Sequence, residues 1–246
     1  VDMCIIASGA VESFYPKYAV YSVPFLFDDT EHAYKFFKSD ISTQMNDEFC
    51  SKTGMRIIGL FNEGYRQVWT KKVQVKSLSD FKGLKMRVPN VNIYVRMFTA
   101  LGCNAQILAY GDVYTGLQTG LIDGVELPIP SVYTGGIYEQ TKYCTMTSHI
   151  GGPMFLMIND KLWQSLSAEQ QNCILTNVDK ATTQDRANLI TDTADYVSKM
   201  KASGIQFIDL TPEAKTEMAN AMNSVVKELY GDLLPQSMLD SIREMQ

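Results

Sequence analysis

The chain has 246 residues, 46% of them hydrophobic and 20% charged, enough to bury a real core in one large domain or two small ones. That balance excludes a disordered chain, and 22 basic against 27 acidic residues, with no basic block, offer nothing to nucleic acid. No apolar run approaches the ~20 residues of a membrane span, and the spacing of five cysteines and two histidines does not fit a zinc site. The cysteines read as small apolar core residues, and neither metal nor cofactor is expected.

In chain order, VDMCIIAS reads as a buried strand running into a loop at Ser8 and Gly9. It opens on Val1 with no element before it, so the chain is expected to begin inside a longer precursor. EHAYKFFKSDISTQMNDEFCSKTG carries helical periodicity and stops at Gly54, a C-cap. The pair Asp28-Asp29 just before it reads as helix capping rather than as catalytic carboxylates. MRIIGLF is the next buried strand, RQVWTKKVQV a strand-like segment, SLSDFKG a one-turn helix, and LKMRVPN a strand ending at Pro89. VNIYVRMFTALG is an amphipathic helix closed by Gly102, and GDVYTGLQTGLIDGVELP gives a helix followed by a short strand. TMTSHIGGPMFLMIND holds two strand-like pieces around Gly151-Gly152-Pro153.

Ala168 to Ala202 form the longest periodic stretch, a helix of about 50 Å at the usual rise per residue. That is too long for one small domain, and it reads as a strut shared by two lobes. IQFIDL follows as a strand, and Thr211-Pro212-Glu213 opens another helix with Thr as cap and Pro in the first turn. Strands alternating with helices predict an α/β architecture with mostly parallel sheets.

Enzyme motifs are missing: there is no GxSxG, P-loop, GxGxxG after a strand, or HExxH. Cys4 or Cys144 as a nucleophile would need a histidine base, and only His32 and His149 exist. Arg66 in NEGYRQVW and Arg87 in KMRVPN lie in strand-like segments. They are either strand-edge surface charges or, if the strands are neighbours, a convergent pair able to grip a carboxylate. Tyr65, Trp69, Tyr94, Tyr110, Tyr114, Phe14, Phe25 and Phe27 supply rings for a core or for the walls of a small-molecule cleft.

Four stretches in order, SGAVESFYPKYAVYSVPFLFDD, NEGYRQVWT, DFKGLKMRVPNVNIYVRMFTALGCNAQ and YGDVYTGLQTGLIDGVELP, resemble the solute receptors of tripartite ATP-independent periplasmic (TRAP) transporters, the DctP family. The resemblance continues through WQSLSAEQQ and the long helix. It implies a two-lobed α/β fold of the periplasmic-binding-protein kind, with a cleft and a long lobe-spanning helix. The first lobe is expected at 1–61 with 152–190, lacking its N-terminal portion, and the second at 62–151 with 191–246.

In that family the arginine matching Arg87 forms the salt bridge with the ligand carboxylate, the one matching Arg66 supports it, and the aromatic matching Tyr110 packs on the ligand. Asn90, Trp69, Glu126, Ser8 and Phe25 complete the expected ligand set. Where the family has Glu-Asn-Pro, this chain has Glu126-Leu127-Pro128, which removes an expected donor.

The resemblance further implies an extracytoplasmic receptor, periplasmic or lipid-anchored, that makes and breaks no bond and delivers a small organic acid to membrane permease subunits. A monomer is expected, with pairing through the long helix as the alternative. Sugar acids of the uronate kind rank first, and Asn62, Glu63, Asn90, Asn92 and Gln118 are available to them. C4-dicarboxylates, 2-oxo acids and aromatic acids such as indole acids are the alternatives. A ligand-sensing domain of a signalling protein and a cysteine enzyme are the other classes.

Overall fold

The computed structural model describes residues 1–245. The chain opens with β1 (Met3–Ala7), α1 (Ser8–Glu12), α2 (Thr30–Phe37) and α3 (Asp40–Thr53). The single helix expected up to Gly54 is in fact two. Asp29 caps α2 by accepting the His32 N–H at 2.8 Å, and Ser39 caps α3 by accepting that of Ser42, so a second start interrupts the periodic stretch. Gly54, at φ +70°, closes α3 in the left-handed conformation that glycine adopts without penalty.

The two strands expected next are one: β2 (Met55–Thr70) runs 16 residues without a break. Then come β3 (Lys85–Val88), α4 (Asn92–Ala100), β4 (Asn104–Ile107), α5 (Val113–Thr119), β5 (Gly124–Pro128), α6 (Ile129–Thr134), β6 (Tyr143–Met146) and β7 (Gly151–Asn159). The chain finishes with α7 (Asp160–Ser165), α8 (Ala168–Ala202), β8 (Gln206–Asp209), α9 (Pro212–Tyr230) and α10 (Gln236–Arg243).

The strands join in the order β1-β7-β2-β5-β3-β4, with β6 attached beside β2 and β8 beside β6. The first half of β2 pairs with β7, and its second half pairs with β5 and β6. The sheet is mixed, which corrects the expectation of mostly parallel strands. Only β3–β4, β3–β5 and β6–β8 are parallel, because every neighbour of the long β2 runs antiparallel to it.

One core gathers Tyr18, Tyr21, Phe36, Phe49 and Phe155 with the α4 and α9 faces, and a second gathers Trp69, Val113, Leu117, Val125 and Leu127. The 35-residue α8 is mostly exposed and packs along β2, where a β-carbon on Gly59 would stand 2.6 Å from Val178. Gly59 is therefore what lets the strut approach the strand.

Candidate functional site

A cavity of about 530 Å³ opens where the start of α1, the middle of β2, the β3–α4 turn and the start of β7 meet. Ser8, Phe14, Glu63, Arg66, Asn90 and Tyr94 supply most of its chemistry. It lies beyond the carboxyl end of β3, the usual place for ligands in sheets with parallel strands. A larger cavity of about 760 Å³ lies between residues 28–31 and α8. Its cation, Arg186, stacks on the Tyr34 ring at 3.7 Å and pairs with Glu31, leaving Nη1 without a hydrogen-bond partner among the described residues. The smaller cavity is the better candidate because Ser8, Arg66 and Asn90 of the expected set line it.

β5 lies between β2 and β3, so the two arginines flank it, Arg66 opposite Pro128 and Arg87 opposite Val125. Arg66 grips Glu126 with Nε on Oε2 and with Nη2 on Oε1 at 2.7 Å, and Nη2 also donates to the Glu126 carbonyl at 2.8 Å. The Tyr94 ring covers the guanidinium at 5.1 Å. Burial opposes both charges, but their mutual attraction outweighs it: Glu126 is held below the usual carboxylate range and Arg66 above its ordinary value.

His149, fully buried against Phe98, places Nε2 at 3.5 Å from Glu126 Oε2 and Nδ1 at 2.8 Å from the Thr147 hydroxyl. Burial pushes the imidazole pKa down despite Glu126, so the ring is neutral near pH 7. A contact of 3.5 Å is too long for a good hydrogen bond, and Nε2 has no other partner among the described residues.

Arg87 is only 4% exposed, and both its Nε and Nη2 donate to one acceptor, the Leu108 carbonyl, at 2.9 and 2.7 Å. No carboxylate pairs with it among the described residues. Burial lowers its pKa, and Glu126 only partly offsets this.

The other expected contacts are spread more widely. Ser8 and Asn90 line the cavity. Tyr110 sits close enough to Arg87 to interact electrostatically, with its hydroxyl on the Ser131 carbonyl at 2.8 Å. Trp69 is packed in the second core and gives its indole N–H to the Leu127 carbonyl at 2.9 Å. Leu127 is buried in the same core, and neither side chain lines the cavity. Phe25 lies outside the cavity too, at φ +56° with its N–H on the His149 carbonyl. Glu63, Tyr94 and His149 belong to the site without having been in the expected set. Glu63 and Tyr94 were visible as polar and aromatic candidates, whereas nothing in the sequence pointed to His149.

An open sheet crossed by one long strand, with Arg66 on the wall of the cavity and Arg87 buried outside its lining, has the α/β frame expected from the resemblance. The comparisons agree. Residues 1–232 match the family model of bacterial extracellular solute-binding protein, family 7 (DctP), and the chain belongs to that family. The 2,3-diketo-L-gulonate-binding periplasmic protein YiaO of Escherichia coli is 28% identical, the match covering all of this chain and 75% of that protein.

Two solved TRAP periplasmic solute-binding proteins superpose over the whole chain at 26% identity. That from Chromohalobacter salexigens, with bound D-glucuronate, gives a TM-score of 0.92 with 81% of its chain covered. That from Desulfovibrio desulfuricans, with bound sn-glycerol-3-phosphate, gives 0.93 with 78% covered. The chain is therefore a TRAP-type solute receptor of two-lobed fold.

Proposed function

We propose that the cleft receives the carboxylate of a sugar acid, uronate-like, and that the receptor carries it to a membrane permease. The observation that carries this reading is Arg87, a nearly buried guanidinium with a single backbone acceptor. A buried cation without a counter-charge is costly, and a ligand carboxylate supplies the missing anion together with a planar pair of acceptors. Arg66 is already neutralised by Glu126, so it contributes a fixed donor surface rather than a free charge.

Ser8 and Asn90 face the ligand body, and Tyr110 closes the Arg87 side. Trp69 and Phe25 act through the backbone they support. The glucuronate of one structural neighbour and the diketo-gulonate of one relative are both sugar acids, which supports the ligand class. Binding closes two lobes, 1–61 with 152–190 against 62–151 with 191–246, about the middle of β2, as ligands that bridge domains do. Delivery to a permease is supported by family membership.

Calorimetric titration with D-glucuronate, D-galacturonate and sn-glycerol-3-phosphate tests the reading. A uronate binds the wild type, and Arg87→Ala weakens it by about 3–5 kcal/mol, as for breaking a buried pair. Undiminished uronate affinity in Arg87→Ala, or binding of the phosphate ester alone, overturns it.

A further inference from the structure

The middle of β2 is not a regular strand. Its register against β7 jumps between Asn62, opposite Pro153, and Tyr65, opposite Gly151, so that Glu63 and Gly64 together face Gly152. This is a β-bulge, the device by which a strand re-aims one side chain. Gly64 takes φ +84°, and its N–H is held by Asn62 Oδ1 at 2.8 Å. Gly152 is required opposite: a β-carbon there would come 2.9 Å from the Gly64 carbonyl oxygen and 3.4 Å from the Glu63 β-carbon.

The bulge places Glu63 on the wall of the cavity that Arg66, Asn90 and Ser8 also line. Glu63 Oε2 accepts one hydrogen bond, from the Ser131 hydroxyl at 3.1 Å. No cation pairs with it among the described residues, because the nearby Arg66 is committed to Glu126. An ionised carboxylate has about four acceptor sites, and Ser131 fills one.

We propose that Glu63 is the specificity determinant of the cleft, accepting hydroxyl groups of the ligand's body and excluding dicarboxylates. This rests on the reading above, in which Arg87 holds one carboxylate. The remaining ligand atoms then meet Glu63, an acceptor-only, negatively charged group on the wall they share with Ser8 and Asn90. Hydroxyls satisfy it, whereas a second carboxylate brings acceptor against acceptor and like charge against like charge. The sorting is therefore by number of carboxylates, with the polyol body favoured.

The test uses matched pairs that differ by oxidation of one terminus: D-glucuronate and D-glucarate, D-galacturonate and galactarate, 3-hydroxybutyrate and malate. Each is titrated into the wild type, Glu63→Gln and Arg87→Ala, with the unfolding midpoint of each variant as folding control. The wild type is expected to prefer the monoacid of the pair it binds by 100-fold or more. Glu63→Gln lowers that ratio at least tenfold, mainly by tightening the diacid, while Arg87→Ala weakens both members.

A wild type that binds the diacid as tightly as the monoacid overturns the role of Glu63 and needs no variant to show it. So does a ratio unchanged in Glu63→Gln, while in either case the carboxylate reading stands. Binding to no acid in the panel overturns both.

Discussion

Arg66 and Arg87 flank the same strand, yet their surroundings are opposites. On the β2 side the guanidinium is closed off by a bidentate carboxylate, a carbonyl and an aromatic ring. On the β3 side the buried Arg87 guanidinium has one carbonyl. The first arrangement is finished without ligand and belongs to the fold. The second is short of an anion, which is the ground for the proposed ligand contact. The difference teaches that two buried arginines flanking one strand need not be equivalent in charge balance.

The sharpest test of that contrast is the stability of the ligand-free protein in denaturant titrations. Glu126→Gln leaves Arg66 buried without an anion and is expected to cost about 3–5 kcal/mol, with Arg66→Met/Glu126→Leu recovering much of it. Arg87→Met, by contrast, removes an unpaired buried charge and is expected to leave ligand-free stability unchanged or higher, although ligand binding is lost. Equal losses for Glu126→Gln and Arg87→Met would erase the distinction.

A smaller effect comes from His149. Its folded pKa lies below the unfolded value of about 6.5, so as pH falls through that value the unfolded chain takes up protons first. The His149 contribution to stability is complete above pH 6.5 and declines below it, by at most about 1.4 kcal/mol per pH unit. Melting curves between pH 7.5 and 5.5 should show a downward slope that His149→Gln flattens, and parallel slopes would remove His149 from the account.

The smallest effect expected is from Tyr94→Leu, which removes the ring over Arg66 and should reduce stability by about 1 kcal/mol. A loss confined to ligand affinity would instead make Tyr94 a ligand contact rather than a cover for the ion pair.

Some of this was legible before any coordinates. Caps are local chemistry, so Asp29, Gly54 and Thr211 mark real element ends. Arg87, read alone, fits a strand-edge surface charge as well as a ligand contact, and only the resemblance singles it out. What periodicity cannot convey is the face a side chain takes after a bulge, or whether a strand aromatic lines a cleft or a core. Trp69 illustrates the second: in sequence it belongs with the cleft aromatics, but pairing with both β5 and β6 buries it completely. The antiparallel pairing of β2 was hidden for a related reason, since a 16-residue strand reads as two short ones when a bulge interrupts its alternation.

The sequence by itself determined several helix ends through their caps, and that two arginines lie in strand segments, one just after a glycine and one just ahead of a proline. These follow from interactions a few residues long, whereas β1, expected to be buried, exposes Met3 and Ile5. Only the tertiary structure decided that Glu126 neutralises Arg66 and leaves Arg87 open. That assignment depends on β5 inserting between β2 and β3, a contact across dozens of residues that no local pattern records. The aim of Glu63 was decided the same way, because a bulge exists only relative to the strand it faces.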